Sequence, residues 1–213
     1  MEKYIEGKRL LIHCGKSYDL YFKKGSRSSS KVDMFHNFIK NEIEDVINKQ
    51  DNKIYDVKLE QNIKSANANH KKKCDIVVFK NKIPYIVFPV KMIMSNYKQN
   101  KNNGWENLTG ELTHLSWAND NLLIIPINIF MNKTPYLNKN QQITKYEHIT
   151  YDDIANYEIL KEKKLAYDIL NYIINVNQTN NVNEKYTINP DIIGFNEKTP
   201  YKSLKTILEK LIN

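Results

Sequence analysis

Apolar positions in this chain recur at two different spacings, and the spacing assigns the elements. Over residues 31–48, Val32, Phe35, Phe38, Ile39, Ile43, Val46 and Ile47 repeat at three and four, the stripe of an amphipathic helix. Ser30 stands where its N-cap belongs. Over 53–60 the spacing falls to two. Tyr55, Val57 and Leu59 share one face and Asp56, Lys58 and Glu60 the other, as in a half-buried strand. CDIVVF (74–79) and YIVFPVK (85–91) are β-branched apolar runs joined by KNKIP, a hairpin signature. Helical spacing returns over 105–117, with Trp105, Leu108, Leu112 and Leu115 on one side. LLIIPINIF (122–130) is a continuous apolar run, the mark of a strand covered on both faces. Residues 151–175 read as a long helix, opened by Thr150 and Asp153 as a capping box with Asp for Glu. A last amphipathic helix is expected over 200–212, with Pro200 in its first turn behind Thr199. The polar stretches 23–31, 61–73, 95–104, 131–149 and 177–186 read as loops or linkers, the first of them mobile. No internal repeat is visible.

Helix, three strands, helix, strand is an α/β order with a mixed sheet, followed by a C-terminal helical part over 150–213. The length of 213 residues fits one domain, and 41% hydrophobic residues supply a core. The longest apolar run is far shorter than the roughly 20 residues of a membrane span, and no apolar signal segment opens the chain. Two cysteines, Cys14 and Cys74, make neither a disulfide framework nor a zinc site. A cytoplasmic protein with reduced thiols and no membrane partner is expected.

Charge narrows the function. Lys and Arg total 32 against 24 Asp and Glu, a net charge of +8. All the cations except Arg9 and Arg27 are Lys, and Asn is nearly as abundant as Lys, a bias that AT-rich codons produce by themselves. The surplus of positive charge still favours a polyanionic partner, most simply nucleic acid. GxxxxGK, GxGxxG, HExxH and GxSxG motifs are absent, and His13, His36, His70, His114 and His148 show no ligand spacing.

The stretch CDIVVFKNKIPYIVFPVK carries the chemistry. Asp75 begins one strand of the expected hairpin and Lys91 ends the other, so antiparallel pairing sets a carboxylate beside an ammonium at one rim of the sheet. A metal-dependent phosphodiesterase uses such a pair, the carboxylate to hold Mg²⁺ and the Lys to orient the attacking water. In this order of elements the pair resembles the PD-(D/E)XK nucleases, the superfamily of most type II restriction endonucleases, over roughly residues 31–130. The resemblance implies a restriction-endonuclease-like core and Mg²⁺-dependent, sequence-specific cleavage of double-stranded DNA. It departs from the family pattern at Pro89, which occupies the acid position of the (D/E)-x-K tripeptide. Some members take that acid from the following helix, and Glu106, 15 residues after Lys91, is the expected replacement and metal ligand beside Asp75. Glu111 is a second candidate. Glu42 is a third, because it falls inside the apolar stripe of the first helix, where an unpaired acid is costly; Glu60 is weaker.

Two segments are expected to meet DNA. The loop after the Lys strand offers Asn96, Gln99, Asn100 and Asn103 as amides able to read base edges, with Lys98 for phosphate. The basic run Lys71, Lys72 and Lys73 is expected to hold backbone phosphates. Cutting both strands of a palindrome with one site per chain implies a two-fold homodimer. The rival readings are a repair or recombination nuclease of the same fold, a degenerate DNA-binding protein, and a basic interaction protein.

Overall fold

The computed structural model describes residues 2–24, 30–49 and 54–212. Among these, two helices open the chain, α1 (Glu2–Lys24) and α2 (Ser30–Lys49). Four strands follow: β1 (Tyr55–Lys64), β2 (Lys71–Lys80), β3 (Ile83–Phe88) and β4 (Val90–Ile93). Helix α3 (Tyr97–Ala118) leads to β5 (Leu123–Ile124), β6 (Ile127–Met131) and the hairpin β7 (Lys133–Leu137) and β8 (Ile143–His148). Short helical turns α4 (Tyr151–Ile154), a 3₁₀ turn (Ala155–Glu158) and α5 (Ile159–Glu162) precede β9 (Leu170–Asn177), β10 (Asp191–Phe195) and α6 (Leu204–Ile212). The class is α/β with mixed sheets. None of the described helices is long and apolar enough to cross a membrane.

Hydrogen bonding orders the strands as β1-β2-β3-β5 and as β10-β9-β6-β4. The two sets are one surface, because β3 runs into β4 across Pro89. The bonds Ile125 N–H to Val87 C=O (2.9 Å) and Ile127 N–H to Pro89 C=O (2.8 Å) carry the parallel ladder through the junction. β1, β2 and β3 are antiparallel, while β5 is parallel to β3, β6 to β4, and β9 to β6. The β2–β3 turn is tight, with Asn81 and Lys82 both at positive φ as a two-residue hairpin turn requires.

The sheet is covered on both faces. Leu10, Cys14 and Tyr18 of α1, Phe35, Ile39 and Ile43 of α2, and Leu208 of α6 pack on one side against Ile76, Val78, Phe88 and Ile129. Leu108, Leu112 and Leu115 of α3 pack on the other against Val77, Val87, Phe130 and Ile173. This two-sided cover explains why the strands read as apolar runs.

Several expectations are corrected. No element was expected before residue 23, yet α1 buries Leu10, Cys14, Tyr18 and Tyr21 at helical spacing. The expected mobile loop falls largely on residues 25–29, outside the described residues. The 61–73 stretch is half strand, continuing β1 and opening β2. The 95–104 loop is largely the start of α3, the apolar run 122–130 breaks at Pro126, and 131–149 forms the β7–β8 hairpin. The last helix starts at Leu204 rather than Pro200, its first turn capped by the Ser203 hydroxyl, which accepts from Thr206 N–H at 3.1 Å.

The largest correction is the long helix over 151–175. The Thr150–Asp153 capping box forms, with Thr150 N–H donating to Asp153 Oδ2 at 2.9 Å. The helical path then stops at Lys164, which adopts φ 58, and Leu165 N–H turns back to Leu160 C=O at 2.8 Å. That is the six-to-one bond of a Schellman end. Beyond it Leu170, Tyr172, Ile174 and Val176 alternate as a buried strand, so the C-terminal part is mixed and not helical.

Asp168 fastens this region. Its Oδ1 accepts from Lys202 Nζ (2.9 Å), Lys161 Nζ (3.0 Å) and Ile169 N–H (2.9 Å). Burial acts to raise its pKa, but these bonds outweigh burial and hold it below the ordinary carboxylate value. A depressed folded-state pKa contributes stability above the unfolded value, near 4, that is lost as pH falls through the folded value. Asp168→Asn is therefore expected to lower Tm at pH 7 and to flatten its decline between about pH 5 and 2. Thermal denaturation across that range checks it; a variant with an unchanged acid limb would contradict the assignment.

Candidate functional site

The β1–β2 ribbon is irregular where the site begins. Leu59 pairs with Ile76 and Gln61 with Cys74, but Glu60 and Asp75 between them do not pair, and Glu60 takes φ 53. The ribbon turns over at this point. Val57 and Ile76 face α2, whereas Ile63 and Cys74 pack with α3. β2 leaves β3 at the same level, Ile76 opposite Phe88 being the last pair. Val90 N–H, the next donor in line, bonds instead to Asp75 Oδ2 at 2.8 Å. The Asp75 carboxylate thus replaces a backbone acceptor where the two strands part.

Lys91 follows on β4. Alternation sends Val90 and Met92 toward α2 and Lys91 toward α3, where its Nζ lies 3.7 Å from Glu111 Oε2. Lys72 Nζ reaches the same oxygen at 3.4 Å. The Glu111 side chain is 7% exposed, so two ammonium groups hold one nearly buried carboxylate. All three line an open cleft of about 460 Å³ with Ser65, Asn67, Glu106, Asn107, Gly110 and His114. Cys74 reports on the site from behind: its thiol is pushed up to about 12 by burial first, then by the charges of Glu111 and Asp75. Both carboxylates therefore lie within electrostatic reach of one sulfur atom.

The remaining acids separate. Glu106 is exposed at the cleft mouth and makes no ion pair among the described residues. Glu111, five residues on, is the acid that meets Lys91, which reverses the expected order of the two. Glu42 accepts from Arg9 at 2.6 Å in a different cavity, with Glu6 and Asp45, so α2 does not lend this acid to the Lys91 cleft. Glu60 pairs with Lys73 at 2.5 Å, both largely exposed.

Sequence reasoning missed His36. It lies on α2, only 3% exposed, and its Nε2 has no hydrogen-bond partner among the described residues. Burial lowers its pKa, and Asp75 is the charge that opposes this most, ahead of Asp33 and Glu60, while Lys91 adds to the lowering. The signal was available, since His36 interrupts the same apolar stripe that singled out Glu42.

The expected DNA contacts also divide. Strand alternation turns Lys72 into the cleft and leaves Lys71 and Lys73 exposed. Asn96 is engaged within the fold: its Oδ1 accepts from Leu137 N–H and its Nδ2 donates to Leu137 C=O, each at 3.0 Å, with Asn96 at φ 51. Asn100 Nδ2 donates to Asn96 C=O at 3.0 Å. Lys98, Gln99, Asn100 and Asn103 are exposed on the start of α3. Buried Glu147 of β8 caps that start, its Oε2 accepting from Lys98 N–H at 3.1 Å.

Among the described residues no group of three or more His, Cys, Asp or Glu converges to hold a metal by itself. Mg²⁺ makes a smaller demand, because it keeps several waters and takes one or two carboxylates plus substrate oxygens. Asp75 and Glu111 are donors of that kind, the first held at Val90 N–H and the second on the wall of the cleft, which Asp75 does not itself line. No family model, curated protein or solved structure matches this chain.

Asn96→Ala removes two bonds to Leu137 and an amide suited to the left-handed region. It is expected to cost about 1–3 kcal/mol of stability, whereas Gln99→Ala stays within about 0.5 kcal/mol. Urea denaturation of both variants checks this; equal stability would return Asn96 to the list of free amides.

Proposed function

We propose that this chain is a Mg²⁺-dependent endonuclease that hydrolyses double-stranded DNA at a short specific sequence, acting as a homodimer in the cytoplasm. The observation that carries the reading is the meeting of Lys91 with Glu111 one strand from Asp75. The order of elements around them supports it: α2, three antiparallel strands, α3 and a parallel strand stand in the order that the resemblance implies. Asp75 and Glu111 would hold the metal, with Glu111 in place of the acid missing at Pro89. The metal supplies charge to the scissile phosphate and a lowered pKa to a bound water. Lys91 would orient that water. Lys72, on the same carboxylate, faces the cleft where a phosphate would lie, and Lys71, Lys73 and Lys98 would hold flanking phosphates. Gln99, Asn100 and Asn103 are exposed amides that would approach base edges, Gln99 keeping its Nε2 and Asn100 its Oδ1 beyond the bonds they make with Asn96.

A second reading, binding without cleavage, is favoured by Pro89 and by the lack of a three-ligand cluster among the described residues. Incubation with a sequenced plasmid separates the two. The proposal expects discrete fragments with Mg²⁺ and none with EDTA; a retarded but uncut plasmid would favour the second reading, and a smear a general nuclease. Lys91→Ala and Glu111→Gln should each lower the cleavage rate about 10²–10⁴-fold while leaving plasmid binding in place. Glu106→Gln should lose much less. Full activity in Glu111→Gln would overturn the assignment of the acid.

A further inference from the structure

A row of polar side chains crosses the sheet at the level of Lys91. Lys91 of β4 is in register with Asn128 of β6, and Asn128 with Asn171 of β9. Their sequence neighbours Val90, Ile127, Ile129, Leu170 and Tyr172 belong to the core on the α2 side, so all three side chains project to the opposite face. Asn128 is 0% exposed. Its Nδ2 donates to Asn171 Oδ1 at 2.8 Å, and Asn171 Nδ2 donates in turn to Glu158 Oε1 at 3.4 Å. Asn128 Oδ1 has no hydrogen-bond partner among the described residues.

A buried acceptor left unmet is destabilising, and an aliphatic residue on the same strand would carry no such cost. The amide is planar, and its nitrogen is committed toward β9, so its oxygen points to the β4 side. The in-register donor on that side is Lys91, whose ammonium now lies at Glu111. A cation that takes the Glu111 carboxylate removes that partner from Lys91.

We propose that Asn128 is a positioning residue, a second seat whose Oδ1 receives the Lys91 ammonium when a divalent cation occupies Glu111. This inference rests on the nuclease reading of the site. The Asn128–Asn171–Glu158 chain orients the amide, so that Lys91 changes partner without being left uncompensated. The seat lowers the cost of displacing Lys91 and thereby strengthens metal binding.

Calorimetric titration of the full chain with Mg²⁺ tests this without reference to activity. Asn128→Leu should weaken Mg²⁺ binding roughly tenfold, the scale of one hydrogen bond to a charged group. In a Lys91→Met background, where no ammonium needs a seat, the same substitution should leave the affinity unchanged. Asn128→Asp keeps an oxygen facing β4 and should bind Mg²⁺ at least as well as the unaltered chain, and circular dichroism of each variant checks that the fold is retained. Equal weakening in both backgrounds, or no weakening in either, would overturn the inference and leave the nuclease reading intact. No Mg²⁺ binding by the unaltered chain would overturn both.

Discussion

Between Phe88 and Val90 the central strand keeps its course and exchanges neighbours, and the site takes its form from that exchange. β2 pairs with the strand as far as Phe88 and then departs, while β5 and β6 follow the other edge without interruption. An unpaired Val90 N–H would stand at the parting. The Asp75 carboxylate satisfies it, which fixes the carboxylate and ends the β2–β3 ladder in one contact. Pro89 suits the junction because a residue without an N–H makes no demand on its neighbours there, and its carbonyl still serves Ile127. The outcome is a carboxylate, Asp75, held at Val90 N–H, one residue from the Lys91 that meets Glu111.

Electrostatics then selects the third member. A carboxylate as buried as Glu111 is costly unless paired, and Lys72 and Lys91 both pair with it. Each lysine is itself a little over a third exposed, so the cluster is buried on the acid's side and open on the ammonium side, toward the cleft. Beside it, in register with Lys91, Asn128 Oδ1 has no partner among the described residues.

How much of this was legible follows from which forces act locally. The α2 stripe, the alternation of β1 and the hairpin with Asp75 and Lys91 were readable because each is a short-range period. Strand β9 was misread because Leu170, Tyr172, Ile174 and Val176 continue a preceding helical signal, and the stop at Lys164 uses a left-handed residue other than Gly or Asn. Helix α1 carries its apolar residues among many polar ones, so its face emerges only when packed against α2. The choice of Glu111 over Glu106 was not legible. Both lie on one helix, and only the height of β2 and β4 relative to α3 decides which acid meets lysine. Asn96 was misassigned for a similar reason: its partner, Leu137, lies on a distant hairpin.

On the proposed nuclease reading, the departure of β2 from the β3–β4 strand sets a cation site between Asp75 and Glu111. Anomalous scattering from a Mn²⁺-soaked crystal tests this directly. The account predicts a peak bridged by these two carboxylates, with the Lys91 ammonium moved away from Glu111. A peak at the Glu2, Glu6, Glu42 and Asp45 cavity instead, or no peak with Lys91 still on Glu111, would contradict it.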